Sequence, residues 1–435
     1  MEKLVLGKWD YSGDVISGVP AEPDRIIFPY TSAEPDRDKI VYYESARGCP
    51  YNCSFCLSSV SRGVRLFPVD RVKKELGYFI DRKVRQVKFV DRTFNVDTER
   101  AAEIMNYIIE NDNGVTNFHF ELCGDRISEE MLKAFESSRK GLFQVEIGVQ
   151  SAQSRVLEAC SRKVDFEKLK RNTLKILSGN NVHVHLDLIA GLPYETFDDF
   201  RNSFNQVYLL GPHDLQLGFL KLLRGTEIRK QADKHGFVFR EREPYEVISN
   251  NYISADEIIR LKMIENVLEL YYNKPGFRST LKYIIGKSGK TPFDFYMDFA
   301  GYYYGEDYHS SSHSRSSLYD ILWKYIEKSG WGSNEGLKEL MLYDRISVAS
   351  PSSFSDREHS DRVHEYLRRE SAVAEEGNAA KTLIKKVNYM AFEYNVDEFA
   401  SCSGELKKCG GKRLLVFYPE IKDAGGRALC KRIYY

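Results

Sequence analysis

The chain has 435 residues, with Lys plus Arg and Asp plus Glu equal at 63 each, 42% hydrophobic and 29% charged. Zero net charge removes the simplest case for a nucleic-acid binder, and nucleic acid is not an expected partner. No apolar run approaches the roughly eighteen residues of a membrane span, and the opening MEKLVLGKWDYSGD lacks the apolar stretch of a secretory signal, so the expected setting is cytoplasmic. At roughly 150 residues per domain, the length suits two or three domains.

Residues 1–38 are rich in Pro, Gly, Asp and Ser and show no sustained period, as in a lead-in or linker segment. From Lys39, short apolar runs at Ile40–Tyr43, Gln86–Val90, Asn117–Leu122, Gln144–Val149, His183–Ile189 and Leu215–Leu220 predict strands. Helical periods separate them. They are Val69, Val72, Leu76, Phe79 and Ile80; Ala101, Ile104, Met105, Ile108 and Ile109; and Leu169, Leu174, Ile176 and Leu177, stopping at Gly179. Thr196 with Asp199 predicts a capped helix start before Phe200, Phe204 and Val207, and another helix is predicted from about Thr226. Six strand–helix units predict an α/β fold with a parallel sheet. They are fewer than the eight of a closed barrel, so an open or partial barrel is expected; a doubly wound sheet has the same periodicity. Beyond residue 236 the rhythm breaks into helical patterns at 254–272 and Leu318–Ile326, an aromatic stretch from Phe293 to Tyr308, a polar segment at 351–380, and a last strand at Arg413–Tyr418. The expected organisation is 1–38 lead-in, 39–235 core, and 236–435 a mostly helical C-terminal domain that caps the opening.

The eight cysteines are too few for a disulfide scaffold, but Cys49, Cys53 and Cys56 crowd into the loop after the first strand. Structural zinc usually takes four protein ligands, and no further Cys or His lies within sixty residues. Three thiolates instead suit a [4Fe–4S] cluster with one iron left open to a small molecule.

The CxxxCxxC spacing resembles the radical S-adenosylmethionine (SAM) superfamily, and the later strand ends resemble its Elp3-like branch. The supporting segments are Glu146-Ile-Gly-Val-Gln150-Ser151, Asp187-Leu-Ile-Ala-Gly191-Leu-Pro193-Tyr-Glu195-Thr196, Asp91-Arg92-Thr93-Phe94-Asn95 and Arg224-Gly225-Thr226. The resemblance covers residues 39–235 and implies a partial (β/α)6 TIM-like barrel. It also implies that a reduced cluster on Cys49, Cys53 and Cys56 cleaves SAM to methionine and a 5′-deoxyadenosyl radical. Phe55 would lie near the adenine. Glu146, Gln150 and Ser151 would approach the ribose and methionine parts, and Arg155 the SAM carboxylate. Asp187 belongs to the same binding rim, Ile189 would wall the adenine, and Gly191 would let the backbone approach it. The family's common Gly-Gly-Glu run is missing, and Asp91 would take its contact with the methionine amino group. Glu121 and Lys221 at strand ends are the expected substrate-facing residues.

The Tyr43–Cys53 and Lys88–Asn95 phrases are similar to radical SAM proteins that carry an N-terminal cobalamin domain and a C-terminal domain of unknown function. The residues ahead of this core are too few for that domain, and no D-x-H-x-x-G cobalt-ligand motif is present. Cobalamin would come from a domain outside this sequence or a separate cobalamin-binding protein, or the enzyme would work without it. The implied partners are a flavodoxin or ferredoxin electron donor and a small-molecule or peptide substrate. The alternatives are a non-catalytic iron–sulfur or zinc scaffold or sensor, and methylthiotransferase-like modification of RNA or protein.

Other candidates carry default structural readings. His119, His183 and His185 alternate with apolar residues on strands, and Asp187 shares a face with His183 and His185. Cys402, Cys409 and Cys430 match no compact metal spacing. Tyr302–Tyr304 suit either a substrate mouth or a core, and Lys407, Lys408, Lys412 and Arg413 form a small basic patch.

Overall fold

In the computed structural model, residues 22–31, 34–60, 63–372, 386–401, 404–422, 424 and 426–433 are described. Strand β1 (Ile40–Tyr43) runs into a hairpin of β2 (Ala46–Cys49) and β3 (Gly63–Leu66). Next come α1 (Val69–Asp81), β4 (Gln86–Phe89), α2 (Thr98–Glu110), β5 (Asn117–Leu122), α3 (Glu129–Ser137) and β6 (Phe143–Gln150). Two helices, α4 (Ser154–Ala159) and α5 (Phe166–Ser178), precede β7 (His183–Ala190), which is followed by α6 (Phe197–Tyr208) and β8 (Asp214–Phe219). Strands β1, β4, β5, β6, β7 and β8 form one six-stranded sheet in chain order, every pair parallel. This is the α/β arrangement expected, with all six predicted strands within a residue of their observed ends.

Burial alternates strictly along β6 and β7. Val145, Ile147, Val184, Leu186 and Leu188 are fully buried against the helices. Their neighbours Gln144, Glu146, His183, His185 and Asp187 face the concave side, because successive strand residues point to opposite faces. The helices supply the other half of the core. Val72, Leu76, Phe79 and Ile80 of α1 and Ala101, Ile104, Met105 and Ile108 of α2 are buried. On α5, Leu169, Thr173 and Ile176 face inward, while Leu174 is 44% exposed; it sits five positions after Leu169, off the buried stripe. Thr196 and Asp199 form the expected capping box.

Residues 22–31 pack on this unit. Arg71 donates to the carbonyls of Pro23 and Ile26, each at 2.6 Å, and Phe28 and Tyr30 lie edge-on to Phe79.

Beyond β8, α7 (Glu227–Lys230) and α8 (Ala232–His235) lead to a two-stranded ribbon, β9 (Val238–Phe239) with β10 (Val247–Ser249). A helical region follows: α9 (Ala255–Leu268), α10 (Arg278–Ser288), α11 (Pro292–Gly305), α12 (Arg315–Lys328), α13 (Glu335–Ile346) and α14 (Ser360–Ala372). The expected mostly helical region thus also carries an antiparallel sheet, β11 (Asn388–Tyr394), β12 (Lys408–Lys422) and β13 (Ala428–Ile433), with α15 (Val396–Ser401) between its first two strands. Only its central strand showed in the sequence. β11 and β13 mix Lys, Arg, Glu and Asn with apolar residues: Lys431 in the middle of β13 is exposed, and Asn388 at the start of β11 is buried with its amide donating to the Ser350 carbonyl. Leu415 and Phe417 pack on Leu340, Tyr343 and Ile346 of α13, and Leu414 and Val416 on Val363 and Leu367 of α14.

Helix α9 continues as one π-turn, Glu269–Asn273, which brings Asn273 to the open edge of the main sheet. Its Oδ1 accepts from the Leu215 amide at 2.9 Å and its Nδ2 donates to the Leu215 carbonyl at 3.2 Å. One side chain therefore satisfies both outward backbone groups of Leu215 in edge strand β8. No helix among the described residues is long and apolar enough to cross a membrane.

Candidate active site

The cysteine loop is built on the β2–β3 hairpin. Cys49 ends β2 opposite Gly63, and Gly48 before it has φ +101. A Cβ at Gly48 would lie 2.2 Å from the Gly63 carbonyl oxygen, so only glycine permits the two strands to approach this closely. The loop then turns at Cys53–Cys56, where the Cys56 amide donates to the Cys53 carbonyl at 3.0 Å. Ser54 between them is pinned from two sides: its amide donates to the Cys160 carbonyl after α4, and its carbonyl accepts from Ile228 of α7, both at 2.9 Å. All three thiols are free; Cys53 is buried, and Cys49 and Cys56 are half-buried.

They open onto a cleft of about 800 Å³, its open mouth included, on the concave side of the sheet. The cleft brings together Cys49, Cys53, Cys56, Phe55, Glu121, Glu146, Gln150 and Asp187, eight of the expected site residues. Gln150 sits at a bulge in β6 with φ +70. Its amide lies across Gly148, where a Cβ would come 2.3 Å from Gln150 Nε2.

The three carboxylates differ in charge. Glu146 is held down to about 2, chiefly by the His119 imidazole 3.4 Å away, with Lys88 at 3.5 Å assisting. Burial raises Glu121, and the Glu146 charge adds to the rise. Asp187 is pushed up to about 8 by burial and then by Glu146 and Glu121. Asp187 Oδ1 and Gln150 Oε1 are buried without a hydrogen-bond partner among the described residues.

Six expected residues lie elsewhere. Asp91 is fully buried beneath the cleft, with Oδ1 accepting from the Ser45 amide at 2.7 Å and Oδ2 from Ser45 Oγ at 2.5 Å. Arg100 donates to the Ser45 carbonyl at 2.9 Å, completing a tie between the β1–β2 turn, the end of β4 and α2. Asp91 is thus held by the Ser45 turn, with no exposed surface and no place in the cleft lining. Asp91→Ala is expected to cost about 3–5 kcal/mol, as removing one partner of a buried charged network does. A urea-unfolding midpoint within error of the parent would contradict this.

Ser151 is buried and donates to Glu195 Oε1 at 2.6 Å. Arg155 is exposed and paired with Asp199, so it does not reach the cleft. Ile189 faces the concave side one step beyond Asp187, half-buried and outside the cleft lining. Gly191, with φ +85, is required by packing instead: a Cβ would meet Val247 Cγ1 at 2.8 Å. Its carbonyl accepts from Asn250 at 3.0 Å. Lys221 is exposed and lies outside the cleft lining; its backbone pairs with that of Glu246 in an isolated antiparallel bridge.

Tyr51, Arg92, Thr93, Leu122, Cys123, Gly148 and Arg162 complete the lining. Arg162 places a cation in the cleft lining, where Arg155 does not: its guanidinium lies 3.7 Å from Cys53 Sγ and donates to the Gly148 carbonyl at 2.5 Å. It follows α4 in an irregular turn, where no periodicity marks it; its place seven residues after Arg155 was the one available signal.

Cys402 lies outside the described residues. Cys409 and Cys430 are half-buried free thiols on β12 and β13. Tyr303 is buried, Tyr302 packs on Tyr308 and Tyr325, and Tyr304 stacks on His309; none of the three lines the cleft. Lys407, Lys408, Lys412 and Arg413 are matched by Glu405, Glu393, Glu358 and Asp397.

Residues 43–207, which carry the cysteine loop and most of the sheet, match the Radical SAM superfamily. The chain carries a radical SAM domain. Residues 233–411 match a family described as a protein of unknown function, DUF4080. The radical SAM chain is 27% identical over 222 residues to the 2-(S-pantetheinyl)-carbapenam-3-carboxylate methyltransferase of Streptantibioticus cattleyicolor, covering 46% of this chain and 32% of that protein. It is 27% identical over 183 residues to the cobalamin-dependent radical SAM methyltransferase TokK of Streptomyces tokunonensis, covering 40% and 26%. It is 24% identical over 198 residues to the tRNA-2-methylthio-N(6)-dimethylallyladenosine synthase of Buchnera aphidicola, covering 43% and 45%. The chain thus spans under half the length of these relatives. The radical SAM family implies SAM and a [4Fe–4S] cluster. The residues present fit both, with three free thiols on one loop and unpartnered Asp187 and Gln150 oxygens in the adjoining cleft.

Proposed function

We propose that this protein is a radical SAM enzyme that transfers a methyl group to a small molecule or peptide, with cobalamin supplied by a domain or protein outside this sequence. The observation that carries the radical SAM half is the loop of three free thiols opening directly onto a cleft with unpartnered polar atoms. The names of the relatives support the methyl-transfer half.

Cys49, Cys53 and Cys56 would hold the cluster, which when bound supplies one electron for cleaving SAM. Phe55 offers an aromatic face at the mouth. Glu146, kept anionic, is matched to an ammonium group. Asp187, largely protonated at neutral pH, can donate a hydrogen bond that an ionised carboxylate cannot. Arg162 is matched to a carboxylate by its guanidinium fork. Glu121 lies on the concave face where substrate would enter, and electrons would arrive from a flavodoxin or ferredoxin.

The test is electron paramagnetic resonance of the anaerobically reconstituted, reduced protein, with and without SAM. The expected result is a reduced [4Fe–4S] signal that changes when SAM is added. Arg162→Ala should keep its iron while needing roughly ten- to a hundredfold more SAM for the same change, the worth of one charged hydrogen bond. Zinc in place of iron, or a spectrum indifferent to SAM, would overturn the radical SAM half. Methylation of an acceptor that persists without cobalamin would overturn the second half.

A further inference from the structure

A second cluster of metal-ligating side chains lies on the same concave face, nearer the start of the strands. His183 and His185 of β7 face inward two positions apart, and the register places Asp214, the first residue of β8, beside His185. Asp214 Oδ2 lies 2.7 Å from His183 Nε2 and 3.0 Å from His185 Nε2. Gln144 Nε2 is 2.8 Å from that same His185 nitrogen.

The hydrogen positions these contacts demand are in conflict. His183 Nδ1 is 2.5 Å from the Ala424 carbonyl. A carbonyl only accepts, so Nδ1 carries the proton, and in the neutral ring Nε2 turns a lone pair on Asp214. His185 Nε2 faces an amide donor on one side and a carboxylate acceptor on the other, and a single nitrogen atom cannot satisfy both. With neutral imidazoles, two nitrogen lone pairs and a carboxylate oxygen converge on one point. That is the donor set of two histidines and a carboxylate on one face of a divalent ion. Ligands at about 2.1 Å from such an ion sit about 3.0 Å apart on a shared octahedral face, close to the two nitrogen–oxygen separations here, and all three ligand atoms lie within 4.8 Å of one another.

The surroundings also match. Metal-bound histidines usually give their other N–H to a carbonyl or carboxylate, as His183 does to Ala424. The His183 ring is further held by stacking on His213, with centroids 4.9 Å apart, and His213 is fixed by accepting from the Val184 amide at 3.1 Å. The side chains of His183, His185 and Asp214 remain 28%, 20% and 21% exposed, leaving an entry path and coordination positions open to water or a substrate oxygen.

We infer that His183, His185 and Asp214 form a binding site for one divalent first-row transition ion, distinct from the cysteine loop. His185 precedes Asp187, a cleft residue, by one inward-facing position, about 7 Å along the strand. The ion would therefore sit on the same face of β7 as Asp187, outside the cleft lining itself. Nothing in this inference depends on SAM cleavage.

The experiment uses reconstituted holoprotein with its full cluster iron, so that the cysteines are occupied, and Zn²⁺ as the probe. After desalting, elemental analysis should find one zinc per chain in the parent, and none in Asp214→Asn or His185→Gln at unchanged iron content. Thermal unfolding gives a second measurement: Zn²⁺ should raise the midpoint of the parent and leave both variants unmoved. If one variant fails to fold, the other decides. No retained zinc in the parent would mean that His183 and Asp214 are simply an ion pair. Zinc retained equally by the variants would place it elsewhere. Either result overturns the site.

Discussion

Gly48→Ala is expected to strip most of the iron from this protein, although no cysteine is touched. The added Cβ would stand 2.2 Å from the Gly63 carbonyl oxygen, a backbone atom held in the β2–β3 ladder. It would also impose a side chain on a residue at φ +101, a conformation that non-glycine residues adopt only at a cost of about 1–3 kcal/mol. Neither strain can be relieved by a rotamer change, so β2 must pull away from β3, and Cys49, the next residue, moves with it. Ser54 stays pinned to Cys160 and Ile228, which keeps Cys53 and Cys56 in place. The variant should therefore present two thiols in register and one displaced. The check is the iron-to-protein ratio after anaerobic reconstitution, with circular dichroism as control for the fold. A variant that takes up iron like the parent would show that the hairpin does not position Cys49.

Glu195→Gln is expected to flatten the stability–pH profile between about pH 4.5 and pH 8. Glu195 is buried, with Ser151 donating to one oxygen and the other without a hydrogen-bond partner among the described residues. Burial pushes its carboxyl from the ordinary 4.5 up to about 8, with the Asp199 charge adding to the rise. Between these values the native state holds a proton that the unfolded chain has released. Stability therefore falls as pH rises through this window, by up to about 1.4 kcal/mol per unit, and the contribution is fully lost above pH 8. Glutamine stays neutral throughout and can still accept from Ser151. Urea unfolding at pH 6 and pH 8.5 should show a smaller drop for the variant than for the parent. Equal drops would mean that Glu195 ionises freely in the fold.

The sheet was legible because parallel strands covered on one face and lined with polar groups on the other alternate cleanly, as β6 and β7 do. The three cysteines and Phe55 were legible for a different reason: local spacing carries the chemistry, and the loop is contiguous. Asp91 and Arg155 show where this fails. Each stands at a strand end or helix start where a binding residue is plausible, but Asp91 is spent on Ser45 and Arg155 on Asp199. Partners 46 and 44 positions away leave no trace in local sequence. Arg162 fails in the opposite sense, since its contacts with Cys53 and Gly148 arise only once β6 and the cysteine loop are brought together. The outer strands of the C-terminal sheet, β11 and β13, were hidden by the polar and charged residues interspersed among their apolar ones.

Asn273 bears on how the two halves of this chain can be handled in the laboratory. By occupying both outward backbone groups of Leu215, it acts as the missing neighbour of β8, yet it belongs to a helix that follows the strand. A fragment cut just after β8 would leave that edge bare, ready to recruit a strand from another molecule. During synthesis the same edge stays unguarded until α9 has emerged and folded back. The shelter of the radical SAM sheet is thus written into the half of the chain whose family has no known function.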